Sequence, residues 1–209
     1  MFDRTTTIDA FLTATAIKQP TPGGGSVAAL AGALAAAMGE MVLSYSIGKK
    51  DLLQHDAQLK QAAHDLQRAR ALLLELMVED QAAYAALTAI RKLPADSAER
   101  KDRLPAAILT CIRGPQAIAA AAVAILGIAN RIVDISTVYL LSDLAVCADL
   151  AMATVRCGIY NVRVNLGDVT AEEKAAFEKA STATLEHGLA LIKEVSPRIW
   201  KRIDASAGK

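Results

Sequence analysis

The chain has 209 residues, with 23 Lys and Arg against 22 Asp and Glu, 53% hydrophobic residues and only 4% aromatics. It is too apolar and too evenly charged to be a disordered segment, and it lacks the basic excess of a nucleic-acid-binding surface. Three cysteines with no CxxC pair form no closed disulfide set, so the thiols read as small buried hydrophobes in a reducing compartment.

Alanine supplies 43 residues, and Leu, Glu, Gln, Lys and Arg fill much of the remainder. These are strong helix formers, and no alternating run of β-branched residues argues for a sheet. The composition and periodicity predict an all-α fold: one domain over residues 1–209, built as an elongated antiparallel helical bundle. Met1 to Asp9 carries Asp3, Arg4 and three threonines in place of an apolar signal core, so a cytoplasmic location is expected. The apolar runs Val27–Met38 and Ala117–Ala129 are 12 and 13 residues long. A membrane span needs roughly 20, so both are expected to be buried helix and no membrane partner is expected.

In chain order, a short helix is predicted from Thr7 to Ile17, ended by Pro20-Thr21-Pro22-Gly23-Gly24-Gly25. Prolines and consecutive glycines disfavour helix interior, so the second helix is expected to open at Ser26. On it Val27, Leu30, Leu34, Met38, Met41, Val42 and Tyr45 recur at helical spacing, and Ala28, Gly32, Ala35 and Gly39 form a second, small-residue stripe. Two such stripes suit a helix covered on both sides. Gly48 ends it. A long helix from Leu52 to Arg91 follows, with Leu59, Leu66, Leu73, Leu76, Tyr84 and Leu87 inward. Pro105 is expected to divide the next segment, Gly114-Pro115 to open an Ala-rich helix, and Ser142 to cap another that runs to Asn161. Gly167 breaks the chain. Thr170 and Glu173 form a capping box for the last helix, which is expected to reach Ile203.

Few residues carry candidate chemistry. The loop Gly23-Gly24-Gly25-Ser26 leads into a helix N-terminus, where amide groups and the dipole suit a ligand. No Gly-Lys-Ser/Thr follows, and no strand precedes, so neither P-loop nor Rossmann chemistry fits. Lys49 and Lys50 sit at a helix C-terminus, where they either satisfy the dipole or contact an anion. Asp80 shares a helix face with Leu73, Leu76 and Leu87, and a carboxylate there needs a partner or becomes a proton carrier. Ser142 and Asp143 begin an apolar helix whose far end holds Asn161 and Asn165. Asp143 and Asn161 lie on one side but roughly 27 Å apart, so they serve two ends of a ligand or two subunits. His55, His64 and His187 have no Glu-x-x-His partner, so no metal site is expected.

These pieces together resemble one family. Pro20-Thr21-Pro22-Gly23-Gly24-Gly25-Ser26-Val27-Ala28-Ala29-Leu30 is similar to the opening signature of the formiminotetrahydrofolate cyclodeaminase / methenyltetrahydrofolate cyclohydrolase family. Ile47-Gly48-Lys49-Lys50, Asp80 before an Ala-aromatic pair, Ser142-Asp143-Leu144-Ala145-Val146 and Asn161-Val162-Arg163-Val164-Asn165-Leu166 follow in the same order. The resemblance spans nearly the whole chain. The segment Ile135 to Leu141 departs from it in lacking a Gly-Asn pair.

The resemblance implies an all-helical homodimer, or dimer-based oligomer, that binds a small folate substrate near the subunit contact. The tetrahydrofolate derivative is the substrate, and no separate cofactor is expected. The implied activity is hydrolysis of 5,10-methenyltetrahydrofolate to the 10-formyl form. The alternatives are cyclodeamination of formiminotetrahydrofolate with loss of ammonia, or a folate-binding module without catalysis. On this reading Asp143 is the general acid/base, Asp80 supports it and Lys49 contacts developing charge. Gly23, Gly24, Gly25, Ser26, Lys50, Ser142, Asn161 and Asn165 bind substrate.

Overall fold

The structure, a computed structural model, describes residues 1–207. Its six α-helices are α1 (Ile8–Ala16), α2 (Gly24–Ser44), α3 (Asp56–Arg91), α4 (Ala98–Ile132), α5 (Leu141–Arg163) and α6 (Ala171–Ala207). Short 3-10 turns cover Lys50–His55, Val138–Leu140 and Leu166–Asp168. There is no strand among the described residues.

Glycine spacing sets the register of the bundle. Gly25, Gly32 and Gly39 step by seven along α2 and meet Asp80, Leu73 and Leu66, which step by seven along α3 in the opposite direction. The same helix runs antiparallel to α5, with Gly24 against Asn161, Gly32 against Thr154 and Gly39 against Cys147. A seven-residue repeat keeps one seam facing its partner over the length of both helices, and the missing side chains let α2 sink between α3 and α5. Gly158 lets α5 approach α4 in the same way, because a Cβ there would stand 2.9 Å from the Pro115 carbonyl oxygen. The bundle is therefore antiparallel and elongated, as composition and periodicity predicted.

The small stripe of α2 faces inward, with Ala28, Ala35 and Ala36 at or near zero exposure; of the larger apolar residues, Val27 and Leu34 face out, Leu30, Met38 and Met41 are half-buried and Val42 is fully buried. Leu34 is 52% and Tyr45 63% exposed. Three stretches, Gly24–Ser44, Ala98–Ile132 and Val138–Asp168, are long and apolar enough to cross a membrane by length and composition. The apolar character thus extends beyond the two short runs read in the sequence. About half of each stretch is spent on the core between helices.

Several boundaries differ from expectation, each for a local reason. Gly24 and Gly25 belong to the first turn of α2, because a side chain from α3 caps that turn. Helix α4 runs unbroken through Pro105 and Pro115. Proline removes one N–H and frees the carbonyl four residues earlier. For Pro115 that is Cys111, whose carbonyl instead accepts from Asn165 Nδ2 at 3.3 Å. Ser142 lies inside the first turn of α5, and Leu140 occupies the cap without a side-chain bond. Tyr84 is 47% exposed and does not belong to the inner face. Cys157 is exposed, whereas Cys111 and Cys147 are buried; burial pushes the Cys147 thiol up to about 12. The Thr170–Glu173 capping box forms as read, with Glu173 N–H donating to Thr170 Oγ1 and Thr170 N–H to Glu173 Oε2.

Candidate functional site

Helix α2 begins at the end of the bundle where α5 finishes. Its N-cap is Gly23, which has no side chain to accept from the first turn. Asp80 reaches across from α3 and fills that role. Its Oδ2 accepts from Ser26 Oγ at 2.8 Å, and the carboxylate also accepts the Ser26 backbone N–H. The carboxylate thus caps α2 in tertiary fashion, at the positive end of the helix dipole. Gly25 is what admits it, since a Cβ there would stand 2.5 Å from Asp80 Cγ. Ser26 is fully buried beneath. Next to Asp80, the buried Gln81 amide holds the N-terminal segment, exchanging two 2.8 Å hydrogen bonds with the Phe2 backbone.

Despite these bonds, burial raises the Asp80 carboxyl above its ordinary value, and the two Ser26 donors offset the rise only in part. Desolvation disfavours the ionised form more than two hydrogen bonds favour it. The result is a half-buried carboxyl moved toward neutral pH, the property a proton-transfer group needs.

A cavity of about 240 Å³ opens over Asp80. The glycine loop forms one wall, Tyr84 and Cys111 another, and Asn161 with Asn165 a third. Asn161 Nδ2 is spent on the Cys157 carbonyl and Asn165 Nδ2 on the carbonyls of Asn161 and Cys111. Both amides therefore turn their donors to the backbone. Asn161 Oδ1 packs over Gly24, where a Cβ would come within 3.1 Å. No cationic side chain lines this cavity among the described residues. An anionic carboxylate and amide oxygens without a basic neighbour favour a cation or a donor-rich edge. Burial and the adjacent Asp80 charge also push the Cys111 thiol up.

Of the residues singled out in the sequence, Gly23, Gly24, Gly25, Ser26, Asp80, Asn161 and Asn165 come together here. Ser26 and Asn165 act through Asp80 and the α4 backbone, and Ser26 does not line the cavity. Lys49, Lys50, Ser142 and Asp143 lie at the opposite end of the α2–α5 pair. Lys49 Nζ donates to Thr137 Oγ1 at 2.7 Å and sits 4.7 Å from the Tyr139 ring centre. Lys50 and Ser142 are exposed and Asp143 is half-buried. One chain does not bring Asp143 to Asp80. Tyr84, read in the sequence as an inner-face residue, was not assigned to the site, nor were Cys111 and Pro115, although Tyr84 stands one helical turn from Asp80 and Pro115 one turn from Cys111. Among the described residues no group of three His, Cys, Asp or Glu side chains is placed to hold a metal ion.

Comparison with known proteins agrees with this architecture. A methenyltetrahydrofolate cyclohydrolase of Methylorubrum extorquens is 29% identical over 201 residues, covering 94% of this chain and 95% of its own. A formimidoyltransferase-cyclodeaminase of Gallus gallus is 30% identical over 85% of this chain, which spans only 33% of that larger protein. The crystal structure of formiminotetrahydrofolate cyclodeaminase from Thermotoga maritima shares the fold, with a TM-score of 0.82 at 24% identity over 97% of this chain and 98% of that one. The formiminotransferase-cyclodeaminase family model matches residues 7–184, and the chain belongs to that family.

Proposed function

We propose that this chain is a folate one-carbon enzyme that hydrolyses 5,10-methenyltetrahydrofolate to 10-formyltetrahydrofolate. The observation that carries the reading is Asp80: a carboxyl raised toward neutral pH, fixed by Ser26, in a cavity free of cations. The methenyl group is a delocalised amidinium cation, so an anionic, acceptor-lined cavity stabilises it and its flanking charge. Water attacks the bridging carbon while the Asp80 carboxylate takes its proton. The same carboxyl returns that proton to N5 as the carbon–N5 bond breaks, and the remaining hydroxyl proton leaves to solvent as its oxygen becomes the carbonyl of the formyl group on N10. Asn161 Oδ1 and the first-turn amides of α2 hold the edge of the ring system, and the Tyr84 ring packs on its face. The reaction is hydrolytic and calls for no redox cofactor; a cytoplasmic location suits the free thiols.

The cyclodeaminase relatives favour a second reading on the same atoms, in which N10 attacks a formimino carbon and ammonia leaves. A binding module without turnover is the third. Following the near-UV absorbance of methenyltetrahydrofolate separates them. Rapid loss that falls at least about 10²-fold in Asp80→Asn establishes the hydrolase and its acid/base group. No loss above buffer removes the hydrolase reading, and ammonia release from formiminotetrahydrofolate then decides between the other two.

The exposed face shared by α2 and α5 bears on assembly. Its outward residues on α5 are Val146, Asp149, Ala153, Arg156 and Tyr160. A two-fold axis between Met152 and Ala153 would place Asp149 against Arg156 and bring Val146 beside Tyr160 of a second copy, while the apolar α2 stripe is covered. We therefore propose a homodimer through this face. The same axis would carry Asp143 and Lys49 of one subunit toward Asp80 of the other, which reconciles the two ends with one site. Light scattering tests it: Asp149→Arg should weaken the dimer, and adding Arg156→Asp should restore it. A monomeric wild type, or a dimer indifferent to both changes, refutes this face.

A further inference from the structure

Asp80 stands in the wall between two cavities. The second, about 260 Å³, opens on the other side of Asp80, Cys111 and Pro115, and is lined by Glu79, Thr110 and Arg113 among others. Arg113 is the only cationic side chain lining either cavity among the described residues. Among the described residues its guanidinium enters no ion pair or hydrogen bond, and the acid that feels it is Glu173 of the α6 capping box, through space. Glu173 is committed to Thr170. The floor of the cavity is apolar, with Leu76, Ala83 and Ala117.

This layout matches a substrate with a cationic reacting edge at one end and an anionic tail at the other. The tail must leave past Glu79 and Asp80, two carboxylates that repel an anion. A single uncommitted guanidinium at that exit reverses the local sign, and its planar fork matches a carboxylate with two parallel hydrogen bonds. Thr110 lies one helical turn before Arg113 on the same face of α4, but its hydroxyl already donates to the Ala106 carbonyl at 2.9 Å, so Arg113 alone supplies the donors. The aromatic linker of the substrate would cross the apolar floor between them.

We propose that Arg113 is the specificity residue for the glutamate tail of the folate, and that this tail leaves through the second cavity. The inference rests on the folate reading above. Turnover of 5,10-methenyltetrahydrofolate is compared with that of 5,10-methenyltetrahydropteroate, which lacks the glutamate. In the wild type the tail-less substrate should have the higher KM at similar kcat. Arg113→Ala should raise KM for the glutamylated substrate about tenfold, the loss of one charge-assisted pair at an open site, and leave kcat and the tail-less KM within about twofold. Arg113→Lys should recover part of the difference, and added salt should shrink it.

Equal KM changes on both substrates, or none on either, overturn the assignment. So does a change that follows Lys49→Ala instead, which would put the tail at the subunit contact. If the wild type turns over neither compound, the folate reaction fails but the tail site is still tested, by calorimetry with tetrahydrofolate against tetrahydropteroate. A wild-type preference for the glutamylated ligand that vanishes in Arg113→Ala supports the inference, and no preference overturns it.

Discussion

Gly25→Ala isolates the contact on which the candidate site depends. The new Cβ would stand 2.5 Å from Asp80 Cγ and 2.8 Å from Oδ2, far inside van der Waals contact. Both α2 and α3 are pinned by long seams, so the carboxylate must swing away. It then loses the Ser26 hydroxyl and the Ser26 N–H, and α2 loses its cap. A cap contributes about 1 kcal/mol and a hydrogen bond to a charged group about 1.5–3 kcal/mol. A total near 3 kcal/mol lowers the melting temperature of a chain this size by roughly 10 °C. Turnover should fall with it, to the level of Asp80→Asn, because the acid/base group is no longer aimed into the cavity. Gly24→Ala meets only the side-chain amide of Asn161, at 3.1 Å, and should cost far less. Gly114→Ala meets nothing within 4 Å inside α4 and should be neutral or slightly stabilising. Calorimetric melts and the absorbance assay on the three variants give the ordering. A Gly25→Ala protein with wild-type melting and turnover would show that Asp80 is not held by the α2 N-terminus.

Two further outcomes follow from the same geometry. Asp80 has a carboxyl raised on folding above the ordinary 3.8, so between that value and its folded value the native state binds more protons than the unfolded chain. Stability contributed by this group is therefore present at low pH and lost as pH rises through the window. Asp80→Asn removes the loss, so its melting temperature should gain on the wild type from about pH 4 upward and then level off; a constant gap would mean that burial does not perturb the group. The second outcome concerns Pro115. Asn165→Ala should cost about 1 kcal/mol in the wild type, by stranding the Cys111 carbonyl. In a Pro115→Ala background the restored helical N–H takes that carbonyl, and the cost should largely disappear. Chemical denaturation of the four proteins closes the cycle. Additive costs would mean that Asn165 does not replace the missing helical bond.

Local signals placed most of the helices. The Thr170–Glu173 box is a feature a chain carries in adjacent residues, and it appears where it was read; Gly48, read as the end of the second helix, takes a positive φ four residues beyond Ser44, where α2 stops. The misplaced features depend on a second segment. Two glycines sit in the first turn of α2 only because Asp80, more than fifty residues away, replaces the missing cap. Two prolines sit inside α4, one of them next to a carbonyl that Asn165 satisfies from α5. Periodicity also showed that α2 has a small stripe and a large one without showing which faces inward. Packing decides that: the small stripe lets α3 and α5 approach, and Val27, Leu34 and Tyr45 of the large stripe are left outside.

The site was legible in part for the same reason. Gly25, Ser26 and Asp80 were each singled out for a separate motive, a loop, a cap and a stranded acid, and the fold makes them one device. The glycine is required by the carboxylate, the serine fixes it, and burial by the α2–α3 seam raises it. Asp143 and Lys49 belong to the other end of the same helix pair, roughly 27 Å along α5. No bend in so well packed a helix closes that gap, and a single folate is too short to bridge both ends usefully. In the proposed homodimer a two-fold axis at the middle of the pair would close it without distorting either helix. The length that separates the two halves within one chain would then be the length that joins them between two.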